Sequence, residues 1–430
     1  MTSRWHLSSL VAALLTALGP GLALWSVLAV APAHAQGATT AHSLPIATDI
    51  RLAGDDQSTR LVMDLTQTLG VRAFTLADPY RVVIDIPQTI FQLPAKTGDG
   101  GRGLIKAYRF GLVMAGGSRI VIDLTKPVRI EKAEVLEAKG GQPARLVLDL
   151  SATDRESFLR HMALDRTGSR ANDAIRKSAE GAAAEGPSTD TRPLIVLDPG
   201  HGGLDTGTKA LGGDILEKDV VLDFSNVLRE QLEKSGRYRV VMTRSDDTFI
   251  PLADRVKFAR HRQADLFISV HADSVPKAAN EVQGATIYTL SDTASDAEAA
   301  KLAEDENRSD AIAGIDLTNE PNEVADILLD LAHRETKTFS HAFARLLIGE
   351  MRNAVRLHKK PLKSAGFMVL KAPDVPSVLI ELGYMTNKQD LKLLTSDAWR
   401  AKAAATMSQA VDHFFRTRIA GTATEPMARR

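Results

Sequence analysis

The chain has 430 residues, no cysteine and a formal net charge of zero. A neutral chain has no bulk electrostatic hold on nucleic acid, so a nucleic-acid partner is not expected. Without cysteine there are no disulfides, thiolate nucleophiles or Cys-rich zinc sites, and any metal centre must be built from histidine and carboxylate. At the N-terminus, Arg4 and His6 precede an apolar run from Leu7 to Val30, broken by Gly19-Pro20-Gly21. Ala33-His34-Ala35 then supplies a small-x-small site, so residues 1–35 are expected to be a signal peptide cut before Gln36. The run is also long enough to stay as an uncleaved anchor. Either way the rest of the chain is exported, and the expected compartment is the periplasm with no stable membrane insertion after cleavage.

Residues 44–150 repeat one pattern. Arg60–Leu65, Arg81–Ile86, Arg119–Leu124 and Arg145–Leu150 each read Arg, three aliphatics, Asp, aliphatic. Short runs rich in β-branched residues and bounded by polar turns are strands, and their repetition predicts an all-β sandwich. Ile105 to Gly111 adds a further strand. The arginine and aspartate of each copy are suited to cross-strand pairing. Apolar periodicity then fades over 151–192, which carries Gly181 and Gly186-Pro187 and reads as a linker with a short helix near Arg155 to Leu164.

From Pro193 the pattern changes to strands alternating with helices, which predicts an α/β domain with a mostly parallel sheet flanked by helices over 193–416, followed by a tail at 417–430. Helices are expected from about Lys218 to Lys234, Leu252 to Gln263, Lys337 to Leu357 and Ser396 to Arg416. Three apolar strands end in a possible ligand or acid. Leu194 to Leu197 leads through Asp198-Pro199-Gly200 to His201, Asp265 to Val270 leads to His271, and Val378-Leu379-Ile380 leads to Glu381. Parallel strands present their carboxyl ends at one edge, where ligands of open α/β sheets collect. His201, His271 and Glu381 should therefore meet. Burying Glu381 without a partner would be costly. Glu217, at the start of a helix, either favours the helix dipole, completes a His-Glu-His metal set, or does both. Asp198, Asp219 and Asp273 are unranked candidates to orient the histidines.

Residues 44–150 resemble the AMIN domain of exported bacterial cell-wall amidases, through the repeated Arg-aliphatic-Asp strands and the Ile105 to Gly111 segment. The resemblance implies a β-sandwich that targets peptidoglycan, often at the division site. Asp198-Pro-Gly-His-Gly-Gly203, Glu217-Lys218, Thr243-Arg244, Ser269-Val-His-Ala-Asp273 and Glu381-Leu-Gly-Tyr-Met-Thr-Asn387 occur in the order of the zinc-dependent N-acetylmuramoyl-L-alanine amidases of the Amidase_3 family. That resemblance covers about Pro193 to Phe415. It implies one Zn2+ held by His201, Glu217 and His271, with Glu381 as the catalytic glutamate. The implied reaction is hydrolysis of the amide between the lactyl group of N-acetylmuramic acid and L-alanine. A catalytically silent peptidoglycan-binding protein and a zinc peptidase acting within the stem peptide are the alternatives.

An insertion is expected at about 292–335. Its first part, Ala294 to Asn307, is alanine-rich and acidic. It is either a solvated surface helix or a plug whose acid takes the open metal position, with Glu306 the first candidate and Glu304 the second. Division amidases with AMIN domains resemble this arrangement, which implies an autoinhibitory helix relieved by a LytM-type activator protein. Val324, Ile327, Leu328 and Leu331 form an apolar stripe that either packs on its own domain or awaits a partner helix.

Overall fold

Alternation decides the N-terminal half. In each Arg-aliphatic-Asp segment every second side chain turns inward, so Leu61, Met63, Val82, Ile84, Ile120, Ile122, Leu146 and Leu148 share one core. The computed structural model describes residues 44–94, 96–113, 117–162, 190–210, 213–274, 282–314 and 327–422. The expected signal peptide (1–35), residues 163–189 of the expected linker, residues 315–326 of the expected insertion and residues 423–430 of the expected tail lie outside the described residues. The strands are β1 (Ile46–Gly54), β2 (Ser58–Leu65), β3 (Arg72–Leu76), β4 (Arg81–Pro87), β5 (Ile90–Phe91), β6 (Ile105–Val113), β7 (Gly117–Leu124), β8 (Val128–Leu136) and β9 (Ala144–Ala152). One sheet runs β5-β1-β2-β9-β8, and the facing sheet contains β6-β7-β4-β3.

Of the four Arg–Asp pairs that the repeats set opposite each other, two form. Arg60 meets Asp149 at 2.5 Å and Arg119 meets Asp85 at 2.6 Å, each pair directly opposite in register. In the other two the aspartate is taken by a different strand. Asp64 pairs with Arg51 at 2.8 Å, and Asp123 with Arg109 at 2.7 Å, which leaves Arg81 free to reach outside the sandwich. A short helix, α1, covers residues 155–162. It buries Phe158 edge-on against Tyr80, with ring centroids 5.1 Å apart.

The second half is built from β10 (Leu194–Pro199), α2 (Glu217–Glu233), β11 (Arg239–Met242), β12 (Thr248–Phe249), α3 (Leu252–His261), β13 (Leu266–His271), β14 (Ala285–Leu290), α4 (Ala297–Glu306), α5 (Ser309–Ile312), α6 (Ile327–Met351), β15 (Leu357–Ala365), β16 (Ser377–Glu381), α7 (Lys388–Leu394) and α8 (Asp397–Thr422). The sheet order is β11-β10-β13-β16-β14-β15. The first four strands are mutually parallel; β14 runs antiparallel to β16, and β15 parallel to β14. Strands buried on both faces need apolar cover on both sides. One face carries a core built with Val221, Phe224 and Leu228 of α2, Phe343 and Leu347 of α6, and Met407 and Val411 of α8. The other carries Leu252 and Ala259 of α3 and Ala299, Leu302 and Ala303 of α4.

Three features differ from the sequence reading. Helix α6 begins at Ile327 rather than about Lys337, and it ends at Met351 where β15 takes over from Leu357. Strand β12 joins the N-terminal sandwich rather than its own domain, pairing parallel to the edge of β6 through Thr248 with Leu112 and Phe249 with Val113. The insertion folds as α4 and α5 against the sheet face, and α4 is stapled there by its polar residues. Asp296 accepts from the Ala299 amide as the helix cap, and the buried ammonium of Lys363 on β15 lies 2.9 Å from Glu298.

Candidate active site

Strands β10, β13 and β16 are sheet neighbours, so their carboxyl ends converge. His271 and Glu381 stand opposite each other in register, and His201 follows β10 by two residues. Glu217 enters from the first turn of α2. Its two carboxylate oxygens accept from the amides of Ala272 and Thr208, both at 2.8 Å, which fixes the group between the histidines. Glu217 Oε1 lies 3.1 Å from His201 Nε2 and 3.5 Å from His271 Nδ1. Gly200 permits this closeness, because a Cβ there would sit 2.4 Å from His271 Cε1.

His201 Nε2 and His271 Nδ1 are both buried without a hydrogen-bond partner. The outer nitrogen of His201, Nδ1, is 2.8 Å from Asp205 Oδ2. With that nitrogen donating, the lone pair of Nε2 points into the cluster. His201, Glu217 and His271 each offer a ligand atom within 4.8 Å of the others. Such a buried His-Glu-His group fits a cation held by nitrogen and oxygen. The charges agree. Burial alone would lower the His201 imidazolium, but Asp205, Glu217 and Glu306 raise it well above its ordinary value. Burial alone would raise the Glu217 carboxyl, but His201 and His271 bring it well below the usual range. The carboxylates therefore call for positive charge at the centre of the group.

Glu381 is fully buried beside it. One oxygen accepts from the Asp273 amide at 2.9 Å, and the other has no hydrogen-bond partner. Burial, with Asp273 and Glu217 nearby, holds its carboxyl well above the ordinary range. Asp273 is pushed up to about 7 by burial and by the charges of Glu217 and Glu306, and it bonds the Thr208 hydroxyl at 2.7 Å.

The last residue of α4 reaches the same place. Glu306 Oε2 is 3.2 Å from His271 Nδ1, and its Oε1 is 3.7 Å from His201 Nε2. Glu304 points the other way and makes ion pairs with Lys301 and Arg308 on the exposed side of α4. Val324 lies outside the described residues. Ile327, Leu328 and Leu331 fall in the opening of α6, and their side chains lie outside the described ones.

Comparison with known proteins assigns the chain to a family. Residues 195–413 match the N-acetylmuramoyl-L-alanine amidase family, and residues 49–150 match the AMIN domain. The N-acetylmuramoyl-L-alanine amidase AmiC of Neisseria meningitidis serogroup B is 33% identical over 406 residues, covering 92% of this chain and 95% of the relative. The chain belongs to the N-acetylmuramoyl-L-alanine amidase family. The amidase AmiC of Escherichia coli O6:H1 is 31% identical over 366 residues, covering 83% of this chain and 86% of the relative. Among solved structures, an N-acetylmuramoyl-L-alanine amidase from Clostridium difficile 630 is 22% identical, with a TM-score of 0.38 over 53% of this chain and all of that one. No helix among the described residues of this amidase is long and apolar enough to cross a membrane.

The sequence reading did not single out Asp205 as the residue that orients His201. Two of its three candidates bond other groups. Asp198 binds Arg255, Thr243 and Ser269, and Asp273 binds Thr208. The available signal was spacing, since Asp205 closes the glycine turn that His201 opens, with Gly202 and Asp205 bonded amide to carbonyl in both directions. Two buried arginines also hold this loop of the amidase. His201 has a left-handed backbone, φ 58°, which costs a non-glycine residue about 1 kcal/mol. Arg255 donates to the carbonyls of His201 at 2.7 Å and Pro199 at 2.8 Å. Arg244 donates to those of Gly200 at 2.7 Å and Pro199 at 3.0 Å. Every carbonyl from Pro199 to His201 is thereby occupied, and the imidazole is aimed by a loop that cannot relax.

Proposed function

We propose that this amidase is a periplasmic enzyme that uses one zinc ion to hydrolyse the amide between the lactyl group of N-acetylmuramic acid and L-alanine in peptidoglycan. The observation that carries the reading is the buried His201–Glu217–His271 group beside the unpartnered oxygen of Glu381. His201 Nε2, His271 Nδ1 and a Glu217 oxygen would hold the ion. Zinc in such a site polarises the scissile carbonyl and lowers the pKa of water to about 7. The protein supplies the rest. Asp205 keeps His201 in the tautomer that leaves Nε2 unprotonated. Glu381 accepts the proton of the attacking water at its unpartnered oxygen and delivers it to the leaving amine of L-alanine. Burial and the neighbouring Asp273 and Glu217 carboxylates raise its affinity for that proton.

Glu306 bridging the two histidines supports a second part of the reading, in which the enzyme rests in an inhibited state. Its carboxylate lies close to both proposed ligand nitrogens, where it would compete with water and substrate, and a LytM-type activator would withdraw α4. The AMIN domain would direct the enzyme to peptidoglycan at the division site for daughter-cell separation. Mass analysis of purified peptidoglycan digested by the activated protein tests the reaction. Free stem peptides beginning with L-alanine are expected, whereas trimmed muropeptides would mean a peptidase and an unaltered polymer a silent binder. Glu381→Ala is expected to retain zinc and lose at least about a hundredfold in rate. Near-normal hydrolysis by that variant would refute the role of Glu381.

A further inference from the structure

In an isolated sandwich the outer face of β4 and β7 would meet water. Here Val83 and Val121 on that face are 0% exposed. They are covered by the chain that leaves the Glu306 helix. Val121 packs with Ala313, Leu204 and Phe249 in an apolar cluster of its own. The backbone at Gly314 lies so close that a Cβ would sit 2.7 Å from Val83 Cγ2 and 3.2 Å from Val121 Cγ2, and its φ of +70° suits glycine.

Three arginines on the same sheet reach across to successive carbonyls of this segment. Arg81 donates to Ala311, Arg109 to Ile312 at 2.6 Å, and Arg119 to Ala313 at 3.2 Å. Carbonyls at a helix end can accept from outside the helix, and Ala311, which also accepts from the Gly314 amide at 3.1 Å, has a second lone pair for Arg81. Arg109 and Arg119 are themselves oriented by Asp123 and Asp85 within the sheet. Arg81 is 5% exposed and burial lowers its pKa, with Arg109 close by, so its charge is placed here at a cost. The contact begins five residues after Glu306.

We propose that the arginine-bearing outer face of the AMIN sandwich is an interaction surface for residues 311–314 of its own chain, and that this contact holds the Glu306 helix in the active site. The proposal rests on the reading of Glu306 as the inhibitory residue. Segment 306–314 is anchored at both ends. Asn307 bonds the Gly366 carbonyl at 2.9 Å and the Met368 amide at 2.8 Å, and the Asp310 carboxylate accepts from the Leu252 amide at 2.9 Å. Those anchors lie in the catalytic domain; the arginines add an anchor in the other domain. Withdrawing α4 then requires the sandwich to release the segment, and whatever loosens the sandwich face favours the open site.

The test uses the full chain without any activator and measures dye release from labelled peptidoglycan. Arg81→Ala with Arg109→Ala should raise basal release about tenfold, the effect of losing roughly one net hydrogen bond's worth of restraint. Glu306→Ala should also raise it, and the triple variant should release no more than Glu306→Ala alone, because both changes act on one step. Hydrogen exchange at the α4 amides should quicken in the arginine variant while the core amides of Ile84 and Ile122 stay protected, which shows that the sandwich is still folded. Wild-type release and wild-type α4 exchange in the arginine variant, beside a raised rate for Glu306→Ala, would overturn the latch and leave the inhibitory role of Glu306 standing. No rise in either variant would overturn both.

Discussion

His201 illustrates how one side chain draws on residues far apart in sequence. Its ring is aimed by Asp205, four residues on, and its strained backbone is held by Arg255 and Arg244 through the loop carbonyls. The Asp205 carboxylate is buried. Burial alone would raise its pKa, but His201 brings it below the ordinary value, so it is charged when the imidazole donates to it. Replacing Asp205 by asparagine keeps the size and removes the charge. Groups that orient a ligating histidine typically carry 10–100-fold in metal affinity, and Asp205→Asn is expected to lose about that much in zinc affinity. A competitive titration against a chromophoric chelator reads it directly, with the circular dichroism spectrum unchanged. Zinc affinity equal to the wild type would mean that the loop clamp alone fixes the ring. At the same scale Glu304 and Glu306 separate cleanly. Two positions apart on a helix cannot face the same way, and α4 turns Glu306 to the histidines and Glu304 to Lys301 and Arg308.

Helix α4 packs Ala299, Leu302 and Ala303 onto the sheet and is fixed at its first turn by polar residues. Asp296 caps it, and Lys363, nearly enclosed, faces both Asp296 at 3.5 Å and Glu298 at 2.9 Å. Burial pushes the Asp296 carboxyl up, but the Ala299 amide and Lys363 outweigh it and leave the group below its ordinary value of 3.8. A pKa depressed in the folded state stabilises above the unfolded value and is lost as pH falls through the folded one. Helix α4 should thus keep its full Asp296 contribution from neutrality down to about pH 4, and lose it only below. Asp296→Asn retains a good cap but not the titratable charge. Its α4 amides, corrected for intrinsic exchange, should show a smaller acid-side change in hydrogen-exchange protection than the wild type. An identical acid-side change in both proteins would place the titration elsewhere. Asp296→Ala removes the cap as well and should cost about 1 kcal/mol of local stability. The alanine-rich, acidic composition of Ala294 to Asn307 made a helix legible beforehand, but not how its first turn docks. Burying Lys363 against the helix start depends on β15, a strand that the pattern at Leu357 to Ala365, interrupted by lysines and Pro361, did not announce.

At the scale of the whole molecule, the parts of the sequence that spoke clearly were those whose meaning is local. Strand ends beside Gly200 and Ala272, and the alternation in the Arg-aliphatic-Asp segments, specify sheets and their edges from short stretches of chain. What did not show was contact between distant pieces. Strand β12 has only two residues, too few for a periodic signal, yet it joins the edge of β6 and carries Phe249 into the cluster of Val121, Leu204 and Ala313. The second aliphatic of two repeats held a hint, since Val83 and Val121 point away from the sandwich core and would face water in a free domain. An apolar residue on an outer face asks what covers it, and here the cover is the other domain. Phe249 should therefore couple the unfolding of the two halves. A fully buried phenylalanine contributes about 3–5 kcal/mol relative to alanine, and Phe249 joins Val121 and Val113 of the sandwich to Leu204 and Ala313 of its own domain. Calorimetry of the wild type is expected to show one cooperative transition, and Phe249→Ala to split it into two, the sandwich separating from the α/β domain. The split should persist with Glu306→Ala in the background, because Glu306 is not part of the cluster. Two transitions already present in the wild type, or a single one retained by Phe249→Ala, would show that the domains unfold independently of this cluster.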